Sequence, residues 1–297
     1  MHNYAFKILS RESVKKRVEK GVVFLSFVLF FGHLTLIFLR NLYPEAALLQ
    51  PLSANYLSAL YTPFSVILVY EVYLLILALP LSFTNSIRKQ YEIISLIIIR
   101  NVFKDISMFD DFDQLLKQTD VIIQIGADLG SGLLLFFLVG VFYHISLKRP
   151  QLSYLTDIQV NKFIYLKERI AVLLLFIFVS LTIYSVYSLG DGVYRLIYFE
   201  ESFSLDLSVI FFVEFYTVMI FSDVVIFIAS FMFSQTYSRL LRNAGFVCST
   251  VILRLSLSAE PEISGIVAAV AVITGILSQV IYIYFNSIEQ KVKGKPS

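Results

Sequence analysis

The strongest constraint on this chain is its succession of long apolar runs. Residues in about 21–40, 62–83, 128–147, 168–190, 207–234 and 263–286 form stretches that each meet the ~20 residues a helix needs to cross a bilayer. A soluble chain of 297 residues has too little interior to hide 58% hydrophobic residues. Its charged fraction, 15%, is also well below the ~25% of an average soluble domain. The bilayer must be its solvent. The expected fold is an all-α polytopic membrane protein.

Two shorter stretches, about 90–107 and 243–258, each carry an arginine near the middle, so the choice lies between six spans and eight. Lysine and arginine placement decides it. With six spans and a cytoplasmic basic N-terminus (1–20), the loop holding Lys148, Arg149, Lys162 and Lys167 would face outside. With eight, the basic pieces all fall inside: the N-terminus, Arg88–Lys89, the 148–167 linker, Arg239–Arg242 and the 287–297 tail. The poorly basic pieces, including the acidic stretch with Asp105, Asp110, Asp111, Asp113 and Asp120, fall outside. Eight spans with both termini cytoplasmic, in the plasma membrane, is the expectation; six is the fallback.

Internal similarity supports the larger number. Ser82-Phe83-Thr84-Asn85-Ser86 and Ser234-Gln235-Thr236-Tyr237-Ser238 share S-x-T-x-S, and the offset between them also carries Glu71 onto Asp223. Two residues of slip then align Ser95–Arg100 with Ser249–Arg254. Ser131-Gly132-Leu133 resembles Ser264-Gly265-Ile266 once a shorter outer loop is allowed in the second half. Spans in 21–147 and 168–286 thus read as two four-helix repeats. Four crossings return the chain to its starting side, so the repeats share one orientation.

The charges that hydrocarbon should reject carry the most information. The midpoint of Glu71 and Arg100 falls inside the Ser82–Ser86 turn, and that of Asp223 and Arg254 at the end of the second polar turn. In an antiparallel hairpin such residues share a depth, here ~20 Å from the turn at 1.5 Å per residue. Each acid is therefore expected to face its own arginine. One role is a structural staple, since an unpaired charge at mid-membrane costs roughly 2.5–3.5 kcal/mol. The other is a polar pathway, because intramembrane ionisable groups mark substrate and proton routes. Glu214 lies half a helical turn round from Asp223 and is a candidate vestibule residue.

The remaining motifs favour plain readings. Arg88, Lys89, Arg239 and Arg242 are candidate cytoplasmic contacts for an anion or lipid phosphate. Positive-inside placement explains them equally, with Ser86 and Ser238 capping the following helices. The acidic segment 108–125 reads as a solvated helix face rather than a calcium cage. His33 and His144 lie at different depths, which argues against a shared haem, and His33 reads as an interhelical hydrogen-bonder. Net charge +2 gives no reason to expect nucleic acid, and the lone Cys248 forms neither an internal disulfide nor a cysteine metal site. No catalytic motif, metal or cofactor is expected. Gly265, Ala268, Ala269, Ala271 and Gly275 give the last span a small face suited to close packing or an oligomer contact. The leading functional expectation is permeation or transport of a small ion or solute. Its rival is a non-catalytic scaffold or subunit, with a homo-oligomer or a membrane complex as partner beside the lipid. A lipid-directed membrane enzyme ranks third.

Overall fold

The computed structural model describes residues 4–45, 49, 53–107, 119–147, 157–199, 207–233 and 237–293. A short α1 (Tyr4–Leu9) leads into α2 (Glu12–Leu42). A 3-10 turn (Tyr56–Leu60), capped by Asn55 Oδ1 accepting from the Leu57 N–H at 2.8 Å, opens α3 (Tyr61–Ala78). Then follow α4 (Phe83–Ser107), α5 (Thr119–Leu147), α6 (Asp157–Phe199), α7 (Leu207–Phe233), α8 (Tyr237–Leu257) and α9 (Pro261–Lys293). No strand occurs among the described residues. Helices are what the composition demands, because backbone in hydrocarbon must satisfy its own hydrogen bonds.

Seven of these helices are long and apolar enough to cross a membrane. The chain is a multi-pass, all-α membrane protein. The exception among α2–α9 is α4, whose 25 residues are long enough but carry charges that lower its hydropathy. Its packing explains that composition. α4 contacts α3, α5, α8 and α9, and buries Tyr91, Ile94, Ser95, Ile98 and Arg100 among them. A helix surrounded by protein needs no apolar face for lipid.

Burial differs from helix to helix. Only 11% of the apolar stretch of α2 is buried, against 44% for α8. Phe24, Phe27 and Phe31 on α2 and Phe176, Ile183 and Tyr187 on α6 face outward. Neighbours in sequence pack together throughout: α2 on α3, α3 on α4, α4 on α5, and likewise α6 on α7, α7 on α8, α8 on α9. Between these groups the contacts include α5 with α9, α4 with α8 and α9, and α3 with α6.

The small face of α9 is used within the chain. Ala268, Ala269 and Ala271 are buried. A Cβ on Gly265 would meet Ser131 Cβ at 2.3 Å, and one on Gly275 would meet Tyr91 Oη at 1.7 Å. The Tyr91 hydroxyl, 2.5 Å from Ser249 Oγ, fills the space that Gly275 leaves open.

Two local expectations are corrected. Ser82, not Ser86, caps α4, its Oγ accepting from the Asn85 N–H at 3.4 Å. A capping residue must precede the first helical one, and α4 begins at Phe83. Ser238 likewise lies inside α8, buried. α6 begins at Asp157, so the last part of the 148–167 linker is helical, as a helix that projects beyond the bilayer can be. Asp110, Asp111, Asp113, Lys148, Arg149 and Ser234–Thr236 lie outside the described residues.

Candidate functional site

The α3–α4 hairpin brings Glu71 and Arg100 to one depth, as equidistance from the turn requires. Arg100 Nη1 donates to Glu71 Oε2 at 2.6 Å and to the Phe64 carbonyl at 3.3 Å. Both residues are 8% exposed. The α7–α8 hairpin repeats the arrangement, with Arg254 Nη1 donating to Asp223 Oδ2. Here burial is deeper, since Arg254 is only 1% exposed.

The second pair has company that the first lacks. Arg254 Nη2 donates across the bundle to Gln90 Oε1 on α4 at 3.0 Å. Gln90 Nε2 in turn donates to Ser86 Oγ at 3.3 Å. Beside them is a partly open cavity of about 20 Å³, lined by residues of α4, α6, α7 and α8 and by Leu79, just after α3. Its walls include Leu79, Ser86, Gln90, Lys167, Asp223 and Thr250. Lys167 reaches it from α6 and is 3% exposed. Its Nζ donates to the Leu81 carbonyl at 2.5 Å, just beyond the C-terminus of α3, where a cation suits the helix dipole. The ammonium also lies 4.9 Å from the Phe83 ring centre and 5.4 Å from that of Phe163.

The other expected residues are placed apart from this cluster. Glu214 is exposed on α7 and does not line the cavity. Arg88 and Lys89 share one carboxylate, Glu92, at 3.4 and 2.5 Å. Arg88 also lies over the Tyr143 ring at 5.0 Å, and Arg242 over the Tyr282 ring at 4.4 Å. Each contact ties the third helix of a group to the fourth. Arg239 is half-buried at the start of α8. His33 Nδ1 bonds Thr62 Oγ1 at 2.6 Å, joining α2 to α3. Among the described residues no group of three or more His, Cys, Asp or Glu could hold a metal.

Gln90 and Lys167 did not stand out in the sequence as site residues. Gln90 is uncharged, so no cost of burying a charge singles it out. Lys167 lies where positive-inside lysines are ordinary. The available signal was the position of Gln90 one helical turn after Ser86, which puts both on one face of α4.

This arrangement defines a polytopic helical protein with two buried ion pairs, one of them beside a small cavity. The chain matches no family's sequence profile, no curated protein and no solved structure.

Proposed function

We propose that the chain crosses the plasma membrane eight times, as two same-orientation four-helix repeats (α2–α5 and α6–α9) with cytoplasmic termini. In this reading it carries a small ion or solute between the repeats. Several features support the architecture. α4 spans ~37 Å at 1.5 Å per residue, enough to cross. Packing order is the same in both groups, and the pairs α5–α9 and α4–α8 join equivalent helices. The shift that carries Arg100 onto Arg254 also carries Arg88 onto Arg242, and both of those arginines lie over a tyrosine of the fourth helix. Ser131 and Gly265, from the matched Ser-Gly motifs, pack directly on each other.

Topology has a direct test. In a Cys248→Ala background, cysteine at Ser107 should label from outside intact cells and cysteine at Ser153 should not. External labelling at Ser153 restores six spans and removes the repeat.

The observation that carries the transport reading is the cavity at the junction of the two groups, touching Asp223, Gln90 and Lys167. Water-sized voids are few in a close-packed interior, and this one lies where the two groups meet. Protein reconstituted in liposomes should therefore pass a small monovalent ion faster than empty liposomes. Lys167→Met should lower that flux at least about tenfold, the effect of ~1.4 kcal/mol at one binding step. Cys248→Ala should not change it. Flux equal to that of empty liposomes for protons, alkali cations and halides rejects the reading. The scaffold alternative draws on Glu71–Arg100, a buried pair that does not line this cavity. It predicts no flux and a stable membrane partner.

A further inference from the structure

Lys167 and Asp223 are the two ionisable groups on the wall of the cavity. Two more charges are buried close by: Glu168, next to Lys167 on α6, and Arg254, bonded to Asp223. Lys167 and Arg254 against Glu168 and Asp223 make a neutral cluster. A sodium ion or a halide lodged in it would leave one buried charge uncompensated, which is costly. The cavity volume, about 20 Å³, suits one water molecule, and Ser86, Gln90 and Thr250 add polar partners to hold it.

The existing bonds leave both groups able to use that water. Lys167 gives one of its three N–H groups to the Leu81 carbonyl. Asp223 takes the Arg254 bond on Oδ2, and its Oδ1 can accept another. A proton moving from Lys167 through the water to Asp223 breaks an N–H bond and forms a carboxyl O–H bond. The water gives up one hydrogen as it receives another. An amine and a carboxylic acid then stand in place of two opposite charges, and the cluster is still neutral, with Arg254 and Glu168 its remaining charges. Burial penalises the charged forms, so a low-dielectric site brings the two arrangements closer in energy.

Ionisable groups continue beyond the cavity. Tyr216 stands seven residues before Asp223 on α7, on the same face and ~10 Å further along the helix. It is buried, and the charges that act on it are Arg100, Glu71 and Arg254. It thus neighbours both ion pairs. Beyond it, Glu71 and Arg100 extend the series to the Phe64 carbonyl, in the first turn of α3. Buried polar groups therefore accompany α3 from Leu81 to Phe64, nearly its whole length.

We propose that the carried ion is the proton, and that Lys167 and Asp223 pass it across this cavity through one water molecule. Lys167 exchanges it beside the Leu79–Ser86 turn, on the proposed cytoplasmic side, and Asp223 exchanges it toward Tyr216 and Glu71. As one proton leaves Asp223 another reaches Lys167, so the site ends each passage as it began and holds no added charge. A metal cation in the same cavity would face the Lys167 ammonium; a proton is carried by Lys167 itself. This deepens the transport reading and rests on it.

The test is proton flux into liposomes that hold the full-length protein and a pH-reporting dye, driven by a pH gradient, with valinomycin and potassium carrying the compensating charge. Lys167→Arg separates a relay from a structural cation, because it keeps the charge and the donors but cannot release a proton. It should lower the flux at least about tenfold. Asp223→Asn keeps an oxygen for Arg254 but cannot carry the proton, and should lower the flux as much. It decides the matter if Lys167→Arg does not fold. Cys248→Ala should match the parent. Proton flux that either folded variant leaves unchanged overturns the proposal. Sodium, potassium or chloride flux without proton flux also overturns it and leaves the transport reading standing. No flux of any of these ions removes both.

Discussion

Arg254→Leu is expected to cost about 3–5 kcal/mol of folding stability, because it strands a buried Asp223 with no partner. The measurement is the midpoint of unfolding in mixed detergent micelles. The loss should exceed that of Arg100→Leu. Arg254 is the more deeply buried of the two, and it alone also holds Gln90. Removing both charges should restore much of the loss in each hairpin. Recovery should be fuller for Glu71→Leu with Arg100→Leu, because Asp223→Leu with Arg254→Leu still leaves Gln90 Oε1 unpaired, at about 1–3 kcal/mol. Charge exchange separates the pairs further. Glu71→Arg with Arg100→Glu keeps an attraction that is symmetric in sign and should fold. Asp223→Arg with Arg254→Asp puts a second cation on the cavity wall beside Lys167 and takes the donor from Gln90, so it should not. If single variants match the parent in stability, the charges reach water separately and the hairpin pairing is wrong.

That asymmetry between two similar hairpins marks the limit of what the residues disclose. The pairs are legible because hydrocarbon makes every charge conspicuous and a hairpin turns distance along the chain into depth. Glu71 and Arg100, Asp223 and Arg254 follow from counting. The small face of α9 is legible because only Gly and Ala admit another backbone so closely, although nothing in the sequence says that Ser131 and Tyr91 fill it. What surrounds the pairs depends on helix-to-helix placement. α6 packs on α3, and that contact turns Lys167 from a positive-inside lysine into a cavity wall. α4 packs on α8, and that contact sends the second hydrogen bond of Arg254 to Gln90. Neither contact leaves a periodic or motif signal within its own helix. The same dependence explains α4 itself. Hydropathy measures what a helix offers to lipid, and α4 offers lipid little.

The contact between α5 and α9 carries the other large effect. Gly265→Ala should destabilise by about 1–3 kcal/mol, the range for forcing extra volume into a packed interior. The new methyl would sit 2.3 Å from Ser131 Cβ, an atom that rotation of a side chain cannot move. The two helices themselves must separate. Gly265→Leu should be worse, and adding Ser131→Gly to Gly265→Ala should restore most of the loss by moving the small residue across the crossing. Gly275→Ala gives a contrasting case. Its methyl meets Tyr91 Oη at 1.7 Å and Tyr91 Cζ at 2.9 Å. Tyr91→Phe removes the first clash and not the second, so rescue there should be partial. It also gives up the bond to Ser249, which holds α4 to α8. Gly140, with nothing within 4 Å of its added Cβ, is the control. There the same substitution should be neutral or stabilising by about 0.5–1 kcal/mol through helix propensity. If Gly265→Ala behaves like Gly140→Ala, α5 and α9 do not meet at Ser131, and the two groups of helices are joined some other way.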